Sequence, residues 1–150
     1  MADVAYTADT VDVTWALERL TDEKGVIHAL LFASDGMALA ASRRLGRDAG
    51  DRASAAFAGI LATSRGLGEF CGRPDGDLTW RYDVKAHGDP DHGYVTVLVF
   101  AAGEHTGLAV SVAANPESRE VAVAIEATLK TIAGLRHVLG ARERERVARP

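Results

Sequence analysis

The chain has a single cysteine, Cys71, in 150 residues. A lone cysteine excludes an internal disulfide and a cysteine-built structural zinc site. Its position in an apolar, helix-patterned stretch reads as a buried structural thiol rather than a nucleophile. Lysine is scarce, three against 14 arginines, and the formal net charge is −4. That balance argues against generic binding to a phosphate backbone and predicts no nucleic-acid partner. The 27 alanines, with arginine over lysine, reflect a GC-rich gene more than a function. No apolar run approaches the roughly 18 residues of a membrane span. Residues 1–12 carry Asp3, Asp9 and Asp12 and no basic residue, so no secretory leader is read there. A cytoplasmic location without membrane insertion is expected. What the chain does have is 47% hydrophobic residues at ordinary charge content, enough for one core-bearing domain.

The patterning predicts a loose arm over 1–11, a domain over 12–140 and a charged tail over 141–150. A short first helix starts at Asp12, carries Trp15, Leu17 and Leu20, and ends at Gly25. The apolar run 26–33 reads as a strand covered on both faces. Ser34-Asp35-Gly36 turns it into a return strand over 37–42, because glycine accepts positive φ. Residues 48–71 read as a long helix capped by Asp48 or Asp51. Its apolar stripe runs through Ala53, Phe57, Ile60, Leu61, Leu67 and Phe70. Three strands follow, over 78–85, 93–101 and 105–113, the last two as a hairpin. Asn115-Pro116-Glu117 opens a final helix that Gly140 stops. The order α-β-β-α-β-β-β-α predicts an α+β domain, a mostly antiparallel five-stranded sheet with helices on both faces.

Catalytic patterns are missing. There is no Gly-x4-Gly-Lys-Ser/Thr phosphate loop, and Gly66-x-Gly68 lacks the third glycine of a dinucleotide fingerprint. The stretch from His87 through Asp89 and Asp91 to His92 is the densest set of potential metal ligands, yet its glycine and proline read as a turn. His28 falls in a strand and reads as a packed histidine, not a general base. No serine lies in a nucleophile context. No catalytic residue, metal or cofactor is therefore assigned.

A different pattern stands out on the long helix. Ser54, Ala58, Ala62 and Gly66 recur every four residues, with Ala55 and Gly59 beside them. Rows of small side chains let a second helix approach closely. With the apolar stripe assigned to the sheet, Ser54, Ala55, Ala58, Gly59 and Ala62 are the expected dimer contact. Arg47, Asp51, Arg65 and Glu69, off that stripe, are the expected charged rim.

Taken in order, several pieces resemble the roadblock/dynein light chain family. They are Trp15-x-Leu17-x-x-Leu20, Gly25-Val26-Ile27-His28-Ala29 leading into Ser34-Asp35-Gly36, and Leu39-Ala40-Ala41-Ser42. The link Leu45-Gly46-Arg47-Asp48, the small-residue helix over 53–62 and the strands 93–101 and 107–113 complete the set. The similarity is greatest to short stand-alone bacterial members encoded beside a Ras-like GTPase and a sensor-kinase-like protein in actinobacterial gene clusters. It implies a sheet between helices and homodimers formed through the long helix and a sheet edge. It also implies a non-catalytic adaptor that regulates or localises a small Ras-like GTPase, with the sensor-kinase-like protein as a further partner and membrane recruitment through a partner. The loops 72–77 and 86–92 depart from the family by their length and polarity. The competing reading of the residues is a sensory α/β/α module holding a small ligand between sheet and helix.

Overall fold

The computed structural model describes residues 8–73, 80–85 and 93–148. The elements are α1 (Ala8–Thr21), β1 (Val26–Ala33), β2 (Ala38–Ala41), α2 (Arg47–Arg65), β3 (Trp80–Lys85), β4 (Tyr94–Ala101), β5 (Thr106–Val112) and α3 (Arg119–Ala148). Their sequence matches the expected alternation, and the class is α+β. The strands form one sheet in the order β2-β1-β5-β4-β3, with every neighbouring pair antiparallel. Residues 1–7 of the expected arm 1–11, the loop 86–92 with His87, Asp89, Asp91 and His92, and most of the loop 72–77 lie outside the described residues.

Alternation along the strands sorts side chains to two faces. Ala29 and Leu31 of β1, Leu98 and Phe100 of β4, and Leu108, Val110 and Val112 of β5 share one core with Val13, Leu17 and Leu20 of α1. Val121, Ala124, Ile132 and Leu135 of α3 complete it. Phe32, Val99 and Ala109 face the other way and pack with Ala58 and Leu61 of α2. Two helices thus cover one face and α2 covers the other, which is why β1 reads as a continuous apolar run.

The first hairpin is closed from both ends. Gly36 takes φ 95°, and its amide donates to Ala33 O at 2.9 Å. Asp35 Oδ1 accepts the Met37 amide at 3.1 Å. At the far end the Ser42 amide donates to Ala29 O (2.9 Å), and Ser42 Oγ accepts the Ala29 amide (3.0 Å). A serine at that position satisfies a buried strand donor that β2 is too short to reach.

Several boundaries differ from the sequence reading. The first helix begins at Ala8 rather than Asp12. The last begins after Ser118, whose Oγ accepts the Val121 amide as an N-cap (3.2 Å), rather than at Pro116. It also continues through Gly140 to Ala148 instead of stopping there. One glycine costs a helix interior only about 1 kcal/mol, and the arginine-, glutamate- and alanine-rich sequence after it favours helix. Among the described residues, no helix is long and apolar enough to cross a membrane.

Candidate functional site

The long helix α2 starts without a side-chain cap. Gly46 holds the N-cap position in extended backbone, and neither Asp48 nor Asp51 caps it. Asp48 lies in the first turn, where a carboxylate complements the positive end of the helix dipole. The helix ends at Arg65, not near Cys71, and turns follow. Two expectations fall with that ending. Cys71 is exposed rather than a buried structural thiol. Phe70, placed on the apolar stripe by spacing, is 90% exposed. Beyond the last helical turn the 3.6-residue period no longer decides which way a side chain points.

The orientation of α2 is rotated from the one expected. Its buried residues are Gly50, Ser54, Ala58, Leu61 and Ser64. Ser54 is fully buried and Ala58 is 8% exposed. These two members of the expected dimer contact therefore face the sheet and are closed to a second chain. Bulk on the sheet explains the rotation. Phe32 rises from β1, fully buried, and packs with Ala58 and Leu61. Phe57 stands half-buried at its side, with ring centroids 5.7 Å apart. A large ring on the strand needs small residues on the helix above it. Gly107 on β5 completes the fit by leaving room for the same ring and for Leu61.

The other three expected contact residues, Ala55, Gly59 and Ala62, are exposed, together with Ala56, Thr63 and Gly66. They lie at i, i+4 and i+7, one strip on the solvent side of the helix. Nothing lies within 4 Å of where a Cβ on Gly59 would stand. The strip is a shallow, nearly featureless path for another helix, displaced by one position from the row that the sequence suggested. The four rim residues Arg47, Asp51, Arg65 and Glu69 are all exposed. Arg47 and Asp51 lie at the start of the helix, and Arg65 and Glu69 at its end. Arg65 is held there: its Nη2 donates to Glu104 O, beyond β4, at 3.2 Å.

The remaining candidates do not assemble chemistry. His28 is half-buried and its amide donates to Ser111 Oγ at 3.2 Å. Its Nδ1 is buried with no hydrogen-bond partner among the described residues. No cluster of metal-ligating side chains occurs among the described residues. On the opposite face, Trp15 is 61% exposed beneath the Arg19 guanidinium, 4.9 Å from the ring centroid, at the lip of a groove between α1 and α3. Periodicity assigned Trp15 to the core, but only Val13, Leu17 and Leu20 of α1 reach it.

With this geometry in place, comparison with known proteins gives consistent results. The Roadblock/LC7 domain family matches residues 14–82. A Roadblock/LC7 domain from Streptomyces avermitilis superposes with a TM-score of 0.67 at 24% identity, over 84% of this chain and 96% of that one. Myxococcus xanthus MglB gives 0.69 at 15% identity, over 93% and 96%. The gliding protein MglB of Thermus thermophilus gives 0.59 at 22% identity, over 87% and 96%. At such identities the solved structures establish a shared fold. No curated protein sequence matches the chain.

Proposed function

Because residues 14–82 match the Roadblock/LC7 domain family, we propose that the chain is a dimeric, non-catalytic regulator of a small Ras-like GTPase. The observation that carries the reading is the exposed strip Ala55, Gly59 and Ala62 on α2. A domain whose two cores are filled from its own helices, yet which leaves a smooth helix path open, has a place for another chain. Two α2 helices packed along their strips would form a platform, with Arg47, Asp51, Arg65 and Glu69 at its edges. Ras-like proteins present loops that change with bound nucleotide, and a rigid platform can distinguish their two states. Charged edges act mainly on the association rate and on the choice of partner.

The dimer is tested by Gly59→Arg. The new side chain enters solvent in the separate chain, so the melting temperature should stay near that of the wild type. In the dimer the same side chain blocks helix approach. Light scattering at micromolar concentration should give twice the chain mass for the wild type and the single-chain mass for the variant. A wild-type monomer would refute the dimer, and an undisturbed variant dimer would move the contact off α2.

Binding is tested by Arg65→Glu. Calorimetry against the GTPase encoded nearest to this gene, loaded with GDP and with a GTP analogue, should show tighter binding of one form. Arg65→Glu should weaken that binding severalfold while leaving the dimer mass unchanged. Equal affinity of wild type and variant would remove this end of α2 from the contact. No binding in either nucleotide state would refute the regulator reading.

A further inference from the structure

The sheet face opposite α2 is covered by α1 and α3. Between these two helices lies a groove of about 590 Å³, open to solvent. Lys24, just beyond α1, meets Glu120 in the first turn of α3 at 3.6 Å, so the helices run antiparallel along it. Each wall presents residues at i, i+4 and i+7: Ala16, Leu20 and Glu23 on α1, and Ala127, Thr131 and Gly134 on α3. Such spacing keeps side chains on one helix face, the seam into which a further helix packs. Nothing lies within 4 Å of where a Cβ on Gly134 would stand. Trp15 does not fill the space either. Its indole is 61% exposed at the lip, held beneath the Arg19 guanidinium. A large aromatic surface kept in water beside an unfilled, partly apolar groove marks a binding surface.

We infer that this groove receives an amphipathic helix of a different protein, with large apolar residues at heptad spacing and acidic residues beside them. The open shape selects a helix. A small ligand is normally buried over most of its surface, whereas an amphipathic helix needs cover on one side only. The α3 wall runs from Ala127 to Val138, about 16 Å at 1.5 Å per residue, so about three turns of the incoming helix are held. Its bulk is set by the small residues that meet it, which leave room for leucine or phenylalanine. Its charge is set by the walls. Arg19 on α1 and Lys130 on α3 stand on opposite sides, with Glu23 the one acid in the lining. Lys130 pairs with Glu126 at 3.3 Å, but both are exposed, and a surface pair of this kind is worth little and readily exchanged. On a chain of net charge −4, two cations flanking one groove favour acidic residues at the flanks of the occupant. A second copy fits poorly. Its own groove would set Arg19 and Lys130 against like charges, and its exposed α2 strip is as small as the groove floor. The site lies on the opposite face from α2 and does not depend on the GTPase reading.

Two labelled helical peptides serve as probes, both with leucine at heptad a and d positions. One carries glutamate at the flanking e and g positions, the other lysine. Fluorescence anisotropy with the full chain should show saturable binding of the glutamate peptide, roughly tenfold or more tighter than the lysine peptide. Added salt should narrow that preference. Trp80→Phe leaves Trp15 as the sole indole, and the glutamate peptide should shift its emission to the blue and protect it from acrylamide. Gly134→Leu fills the groove from this chain's side. Leucine suits a helix better than glycine, so melting temperature should hold or rise while affinity falls roughly tenfold or more. Arg19→Glu alters an exposed side chain and should narrow or reverse the preference between the peptides, which keeps the test valid if Gly134→Leu fails to fold. Gly59→Arg should bind as the wild type does, separating this site from the α2 strip. Absence of saturable binding would overturn the inference, as would equal binding of the two peptides or binding indifferent to both groove variants. Trp15 already shielded from acrylamide in the free chain would overturn it too, since another part of the chain would then occupy the groove.

Discussion

Ala58→Arg should unfold the domain or lower its stability drastically, whereas Gly59→Arg, one residue away, should leave it folded. Ala58 packs under α2 against Phe32, Val99 and Ala109 in a layer with no polar partner for a guanidinium. Overfilling a packed core costs about 1–3 kcal/mol, and an unpaired cation held out of water costs several more. Against a total stability of about 5–15 kcal/mol, the sum removes most or all of the folded population. Snorkelling offers little relief, because Ser54 and Leu61 on the same helix face are buried too. Circular dichroism and urea unfolding of the two variants side by side would measure the difference. Equal stability would mean that α2 turns its other side to the sheet.

Gly107→Val should be the second severe substitution, and Gly107→Ala a milder form of it. A Cβ at Gly107 would stand 2.3 Å from Phe32 Cζ and 2.7 Å from Leu61 Cδ1. Real atoms do not approach so closely, so the ring or the helix must shift. Phe32 is fully buried and Leu61 is 7% exposed, so neither can swing freely into solvent. For Gly107→Ala a loss of about 1–3 kcal/mol is expected, read as a drop of roughly 2–4 °C in melting temperature for each kcal/mol. Valine, with two more carbons at the same point, should cost more. Phe32→Leu shortens the ring that meets the new Cβ, so Phe32→Leu with Gly107→Ala should be more stable than the two separate losses predict. Strict additivity would show that the clash is relieved elsewhere.

These two sites also mark where the sequence was readable. The strand pattern was legible because alternation and the Asp35-Gly36 turn are local signals, set by side-chain period and by one positive φ. The orientation of α2 was not. Its bulkier residues, Phe57, Ile60 and Leu67, drew the core face toward themselves, and all three are only half-buried. The large side chain of that layer belongs to β1, and a helix over Phe32 and Gly107 must be small where it touches. That reciprocity joins residues far apart in the chain, which periodicity within one segment does not record. Of the five small residues read as one exposed row on α2, two, Ser54 and Ala58, are therefore turned inward. The rim charges were placed correctly on the surface because four charged side chains off an apolar stripe have few other places to go. Trp15, Phe70 and Cys71 were misassigned for the opposite reason: hydrophobic character says that burial is favourable, not that a partner surface is within reach.

The strand order has a consequence for how the chain is made. The neighbouring strands β1 and β5 come from opposite halves of the sequence, and the His28 amide bonds Ser111, 83 positions further along the chain. As the polypeptide leaves the ribosome, β1 and β2 can form their hairpin at once, but the inner edge of β1 stays bare until β5 has been synthesised. Pairings that close such long loops form slowly. During that wait the apolar run Val26–Ala33 is open to any other strand, and this is a vulnerability of nascent chains. The family-matched stretch 14–82 ends before β4 and β5. It contains α2 but not the strands that hold β1 in place, so it should not fold if made alone.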